Sequence, residues 1–205
     1  MSLRTEILTG PAIARYIPAL AALRQAVFRD WPYLYEGEDR QERGHLAAFA
    51  SSASAALVVV LDGEQPVGCS TCLALADESA SVRAPFERQG WDVERFCYFG
   101  ESVLLRAYRG RGLGVAFFAM REDHARRLPG VAHTCFCGVR RAADDRRRPD
   151  DAMPLDDFWR KRGYQPMGVA CEMRWPEIDG GGEVTHTLDF WGKPLTAAPL
   201  PRASA

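Results

Sequence analysis

The residues whose types and spacing best suit chemistry run from Glu101 to Val115, where an apolar, strand-like stretch passes through a turn with glycine at 110, 112 and 114 into a helical one. The first amides of a helix have no internal partner, and the helix dipole adds partial positive charge beside them. Such a junction suits an anion of the pyrophosphate type. Gly112 and Gly114 let a ligand approach the backbone closely, and Arg109 and Arg111 either add cationic contacts to phosphate or remain solvated loop charges. Glu101 is the carboxylate nearest the turn and the first candidate for proton transfer.

Three phosphate-binding patterns compete for this stretch. A Walker loop requires G-x-x-x-x-G-K-[ST], and no lysine followed by serine or threonine occurs near Gly114, which argues against an ATP-hydrolysing site. A dinucleotide fingerprint fits poorly, because reading from Gly110 gives G-x-G-x-G followed by Val115, and the turn follows the fourth expected strand instead of opening a parallel unit. The remaining pattern, Arg109-x-x-Gly112-x-Gly114 after an apolar strand, resembles the acyl-coenzyme A motif of the GNAT-type N-acetyltransferase superfamily. The segment Phe158-Trp-Arg-Lys-Arg-Gly163-Tyr164, a short helix entering a strand, resembles the F-Y-E-K-x-G-F segment that ends the same domain. The order of expected elements matches too, so the resemblance spans roughly residues 3 to 190.

The resemblance implies a fold, a cosubstrate and a set of residues. The fold is α+β, with a mixed, mostly antiparallel sheet of six to seven strands, splayed at its centre, and helices on both faces. Acetyl-CoA is the implied cosubstrate, with no metal. Its pyrophosphate maps to the amides of Gly110, Arg111, Gly112, Leu113, Gly114 and Val115, with Arg109 alongside, and the strand edge for the pantetheine arm maps to Ser102, Val103 and Leu104. Leu113 and Val115 are also expected to have core roles. The implied activity is N-acetyl transfer to a primary amine by direct attack on the thioester; the alternative from another class is a non-catalytic acyl-CoA-binding or regulatory module.

Such a transfer requires a neutral nitrogen, a donor for the developing negative oxygen and a fate for the thiolate. A backbone N–H near Leu104 supplies the donor. Alkylamines have pKa values near ~10, so a carboxylate or a water chain must remove a proton at neutral pH. Glu101 sits where the family often places its base, although strict alternation aims it away from Tyr98 and Gly100 unless a bulge corrects the phase. Trp159 stands where many members carry the tyrosine acid, and an indole N–H does not readily protonate a thiolate. A coenzyme A thiolate resembles that of cysteine, with pKa near ~8.5, and can leave with help from water or hydrogen bonding. Tyr98 is the alternative partner in the site, and Tyr164 reads as core.

By the same resemblance the acceptor lies over the loop between the first two helices, where Trp31, Tyr33, Tyr35 and Glu36 form the candidate wall. Aromatics beside Glu36, Glu38 and Asp39 suit a cationic amine with an apolar body, small or peptidic.

The elements that must position these groups follow from apolar periodicity. Leu3 to Leu8 reads as a strand ended by Gly10-Pro11, and Ile13, Ile17, Leu20, Leu23 and Val27 mark a helix whose main part starts at Pro18 and stops at Asp30-Trp31-Pro32. Arg40 to Ala50 is a weaker helix. Ala56 to Leu61 and Pro66 to Leu75 form a hairpin around Asp62-Gly63, residues 77 to 96 read as irregular or partly helical, and Cys97 to Leu105 is the fourth strand. Gly112 to Leu128 is an amphipathic helix with Arg121, Glu122, Arg126 and Arg127 mostly off its apolar face. His133 to Val139, Met167 to Trp175 and Glu183 to Phe190 are strands, Leu155 to Arg162 a short helix, and Arg140 to Arg148 a solvated charged loop.

At 205 residues the chain suits one domain, residues 1–195, followed by a loosely held tail, residues 196–205. Hydrophobic residues at 47% and charged ones at 26% exclude wholesale disorder, and no run approaches the roughly 18 apolar residues of a membrane span. The 26 basic and 27 acidic residues give a net charge of -1, which favours neither nucleic acid nor an anionic membrane as partner. A homodimer is compatible with all of this. Six cysteines in apolar stretches suit reduced thiols in a cytoplasm. Cys69-x-x-Cys72 with Cys135-x-Cys137 is the best case for zinc, but knuckle glycines and a following histidine pair are missing, so buried strand cysteines are expected. His45, His124, His133 and His186 form no metal or nucleophile spacing.

Overall fold

A computed structural model of the chain describes residues 2–37, 39–180 and 182–203, and within them all side chains except those of residues 39–43 and 45. Glu38 and the side chains of Asp39 and His45 therefore lie outside the described residues. Two apolar runs, β2 (Ala56–Asp62) and β3 (Gln65–Ala74), pair antiparallel through a turn in which Gly63 takes the left-handed φ of +62°. Both are buried along nearly their whole length, which is why they read as continuous apolar runs without alternation. Among the described residues the sheet has seven strands in the order β1-β2-β3-β4-β5-β7-β6, where β1 is Leu3–Thr9, β4 Phe96–Leu104, β5 His133–Val139, β6 Gln165–Pro176 and β7 Glu183–Pro194.

The parallel pair, β4 with β5, is short. Phe96, Cys97 and Tyr98 stand opposite His133, Thr134 and Cys135, and beyond them the strands separate. Here is the expected central splay. From Phe99 to Leu104, β4 keeps β3 on one side and opens on the other.

Helices α1 (Ile17–Phe28), α2 (Asp39–Ser51) and α3 (Ala80–Arg88) cover one face, burying Leu20, Leu46, Phe86 and the inward side chains of β4 and β7. Helices α4 (Leu113–Ala125) and α5 (Asp156–Arg160) cover the other, around Phe118, Phe136, Tyr164 and Trp191. Helix α3 forms within the stretch expected to be irregular or partly helical, despite Pro85 inside it. Phe86 packs edge-on against Trp91, Phe96 and Phe190 at ring-centroid distances of 5.5, 5.0 and 4.9 Å, contacts that offset the helical hydrogen bond lost at the proline.

Several expectations need correction. Arg121 and Glu122 are not on a solvated face of α4: they are 1% and 7% exposed. Glu122 accepts from Lys193 at 2.8 and 2.9 Å and from Tyr164 at 3.2 Å, so its charge is paired within the core. Val115 is 46% exposed and has no core role. In the C-terminal segment, Leu200 folds back against the core and the Leu195 N–H donates to the Ala132 carbonyl at 2.8 Å. All six cysteines are thiols, and Cys69 and Cys72 join clusters on opposite faces of the sheet, so that pair does not form a chelate.

Candidate active site

The site is built on a β-bulge. Between Ser70↔Ser102 and Cys72↔Phe99, Thr71 of β3 faces two residues of β4, Gly100 and Glu101. The extra residue reverses the alternation, bringing Glu101 to the α1 face together with Tyr98, the phase that unbroken pleating denies it. Side chains hold the bulge: the Glu101 N–H donates to Thr71 Oγ1 at 2.9 Å, and that hydroxyl donates to Glu101 Oε2 at 2.6 Å. A Cβ on Gly100 would stand 2.6 Å from Thr71 Oγ1, so glycine is required there by close approach. From the opposite face, Arg121 of α4 donates to the carbonyls of Thr71 and Glu101 at 3.3 and 3.4 Å, with its guanidinium 4.3 Å from the Phe99 ring centroid. Burial pulls that guanidinium below the usual arginine range.

Arg24 of α1 donates from Nη1 to Glu101 Oε1. The two side chains are 13% and 11% exposed, and both line a cavity of about 530 Å³ between α1, the start of α3, β4 and β6. Phe28, Tyr33, Tyr35 and Trp175 supply its aromatic wall, and Tyr98 lines it as well. Tyr98 Oη lies 3.1 Å from Cys137 Sγ, and burial pushes its phenol well above the ordinary tyrosine value, as it does for Tyr33. A second hollow of about 390 Å³, between α3 and β6, shares Ser81 and Glu172 with the first but none of the expected site residues.

On the far side of the opened β4 edge, α4 begins at Gly112, whose φ of +79° is left-handed. Val115 and Ala116 donate back to the Gly112 carbonyl at 3.0 and 3.1 Å, so the amides of Gly110, Arg111, Gly112, Leu113 and Gly114 sit at the open helix end. The Val115 N–H, expected among these amides, is the first to donate within the helix. Arg109 and Arg111 lie at the turn, donating to the carbonyls of Leu104 and Ala107 at 3.1 and 3.2 Å. Ser102 is exposed, Val103 buried and Leu104 between the two, along the edge left by β5. The Phe158 ring lies against Gly114, while Trp159 packs on Gly138, Phe136 and Trp191 in the α4-side core.

Of the expected acceptor wall, Tyr33 and Tyr35 line the cavity, but Trp31 and Glu36 do not. The Trp31 ring faces Arg141, and the Glu36 carboxylate is drawn to Arg29. Arg141 is the larger surprise: its tract is a mostly exposed loop, as expected, but Arg141 itself is not one of its solvated charges. Arg141 donates to the carbonyls of Pro32 and Tyr33 at 2.6 and 2.8 Å and to Glu177 at 2.6 Å, clamping the aromatic loop onto β6 and β5. Arg24, Phe28, Thr71 and Trp175 escape a motif-based reading. The four-residue spacing of Leu20, Arg24 and Phe28 is the signal that places Arg24 beside the buried stripe of α1.

Comparison with known proteins agrees with this fold. The sequence model of the Acetyltransferase (GNAT) family matches residues 20–149. No curated protein matches the chain. Among solved structures, the chain is similar to yncA, a putative acetyltransferase from Salmonella typhimurium with its cofactor acetyl-CoA, at 12% identity, with all of each chain covered and a TM-score of 0.59. It is also similar to Arabidopsis thaliana NAA60 in complex with a bisubstrate analogue, at 11% identity over 95% of this chain and 100% of that one, TM-score 0.59. An acetyltransferase from Thermus thermophilus aligns at 14% identity over 95% of this chain and 97% of that one, TM-score 0.55. These likenesses concern the fold, whereas the family match covers most of the sequence, including the glycine turn and the bulge; the chain belongs to the GNAT acetyltransferase family.

Proposed function

We propose that the protein transfers an acetyl group from acetyl-CoA to a primary amine, by direct attack of the amine nitrogen on the thioester. The observation that carries this reading is the opening between β4 and β5 beyond Tyr98, with the amide-lined start of α4 on one side and the Glu101 cavity on the other. The residues present fit the cosubstrate. Gly110 and Gly112 have φ of +76° and +79°, and a Cβ on either would meet nothing within 4 Å, so the left-handed backbone rather than crowding favours glycine at this turn. The amides from Gly110 to Gly114, with Arg109 and Arg111 nearby, would hold the pyrophosphate, and the edge at Ser102, Val103 and Leu104 would pair with the pantetheine arm.

Acetyl-CoA supplies the thioester. Glu101, oriented by the Arg24 guanidinium and the Thr71 hydroxyl, holds the entering ammonium and takes its proton. An N–H of the β4 edge near Leu104 donates to the carbonyl oxygen as it gains charge. With Trp159 packed in the core, the departing thiolate takes its proton from water; the Tyr98 hydroxyl, which burial pushes well above the ordinary tyrosine value, is the weaker donor.

Calorimetric titration of acetyl-CoA into the full chain, followed by thiol release in the presence of amines, tests the reading. Gly112→Ala is expected to weaken binding about 5- to 30-fold, the range equivalent to the roughly 1–2 kcal/mol needed to hold a non-glycine residue left-handed. A flat titration with the unaltered chain would overturn the proposal.

A further inference from the structure

The candidate base is half of an ion pair. Arg24 and Glu101 are each about nine-tenths withdrawn from solvent, yet both border the cavity in which the acceptor would sit. An entering ligand therefore meets a cation and an anion side by side. A plain ammonium is attracted by Glu101 but repelled by Arg24, and at contact distances neither term is negligible even under strong screening. A ligand with an ammonium and a carboxylate on the same carbon has no such conflict: its two charges match the two wall charges in opposite order, and its entry leaves the net charge of the cavity unchanged. The planar guanidinium of Arg24 carries five donors and suits a carboxylate; the other guanidinium bordering the cavity, that of Arg174, is exposed and lies beside Glu183, away from Glu101.

The rest of the cavity sets the side chain. Phe28, Tyr33, Tyr35, Trp175 and Val82 offer apolar and aromatic surface; of the other charged groups, Glu172 and Arg174 are exposed, Arg174 beside Glu183 at 3.6 Å, and Glu78 is half-buried just before α3, where its carboxylate accepts from the Ser79 N–H at 2.8 Å. We propose that the acceptor is a free α-amino acid with an apolar or aromatic side chain, its carboxylate against Arg24 and its amino group against Glu101. The inference rests on the acetyl-transfer reading above. The new bond joins the amino nitrogen to the acetyl carbon and the carbon–sulfur bond breaks. Of the two protons the ammonium gives up, one leaves through Glu101 to solvent and the other ends on the coenzyme A thiol.

The test compares matched acceptors at saturating acetyl-CoA: L-phenylalanine with phenethylamine, L-leucine with isoamylamine, and L-phenylalanyl-glycine, in which the carboxylate is moved away from the amine. Each amino acid is expected to exceed its decarboxylated partner in kcat/KM by at least about tenfold, the weight of a charge-assisted contact to arginine. In Arg24→Gln this ratio should fall towards one; because both acceptors are read on the same variant, a general loss of activity cancels, and the unaltered chain decides alone if the variant does not fold. Amines or the dipeptide acetylated as fast as the amino acids would overturn the zwitterion proposal and leave acetyl transfer standing. Acetyl-CoA binding without thiol release from any of the five would overturn both.

Discussion

Glu101→Gln is expected to lower amine-dependent kcat by about 10²- to 10⁴-fold, the usual contribution of a general base, while acetyl-CoA affinity stays nearly unchanged. Glutamine preserves the shape of the side chain and an oxygen for the Thr71 hydroxyl, but it cannot take a proton from an ammonium. It also leaves Arg24 without its carboxylate. Breaking a buried pair by removing one partner costs about 3–5 kcal/mol, and the residual exposure of 13% and 11% moves the expectation towards the lower end. A fall in melting temperature is therefore expected alongside the kinetic loss and does not by itself identify the base. The pH profile does. With deprotonation left to the bulk solvent, the variant rate should climb about tenfold per pH unit towards the amine pKa near ~10, narrowing the gap to the unaltered enzyme. A variant that keeps kcat within a few-fold, or whose deficit is constant with pH, would remove Glu101 from proton transfer.

The two halves of this site differ in how far they can be read from sequence, and the reason is the range of the interactions that build them. The proposed anion-binding turn is local: an apolar strand, Arg109, left-handed glycines and the start of an amphipathic helix lie within fifteen consecutive residues, and their conformations follow from residue type. The phase of Glu101 is not local. It depends on Thr71, thirty residues away, whose hydroxyl fits only because position 100 lacks a Cβ. Arg121 and Glu122 show the same limit, since charged helix residues are normally solvated and only distant partners make burial tolerable: the Thr71 and Glu101 carbonyls for one, Lys193 and Tyr164 for the other. Trp31 and Glu36 join the expected acceptor wall by their neighbourhood with Tyr33 and Tyr35, but loop residues have no periodicity from which to tell which side each one faces.

Arg141→Ala is expected to destabilise the protein and raise the acceptor KM while sparing acetyl-CoA affinity. The loop from Trp31 to Glu36 holds Leu34 at a φ of +52°, a left-handed conformation that costs a non-glycine residue roughly 1–2 kcal/mol and persists only where its surroundings demand it. Those surroundings are three bonds from Arg141, the Trp175 indole on the Tyr33 carbonyl at 3.1 Å, and the Ile178 N–H on the Leu34 carbonyl at 2.9 Å. Removing the guanidinium leaves Glu177 with Arg147 at 2.5 Å, so the loss should lie near about 2–3 kcal/mol, below that of a fully orphaned buried charge. For a chain of this size that is a fall in melting temperature of about 4–12 °C. The pH dependence gives an independent reading. Burial would raise the Glu177 carboxyl, but hydrogen bonds from Arg147 and Arg141 outweigh it and hold it below the usual range, so this stabilisation is present above about pH 4.5 and lost as pH falls through the folded value. The stability gap between the unaltered chain and the variant should accordingly shrink in acid. His186, stacked on Trp175 at 3.7 Å, is held below its ordinary 6.5 by burial and then by the charge of Arg141. Its imidazole should titrate closer to 6.5 in the variant, followed by NMR. An unchanged His186 titration together with an unchanged acceptor KM would mean that the loop keeps its shape without Arg141, and that the clamp on the acceptor wall resides in Trp175 and the β6 backbone alone.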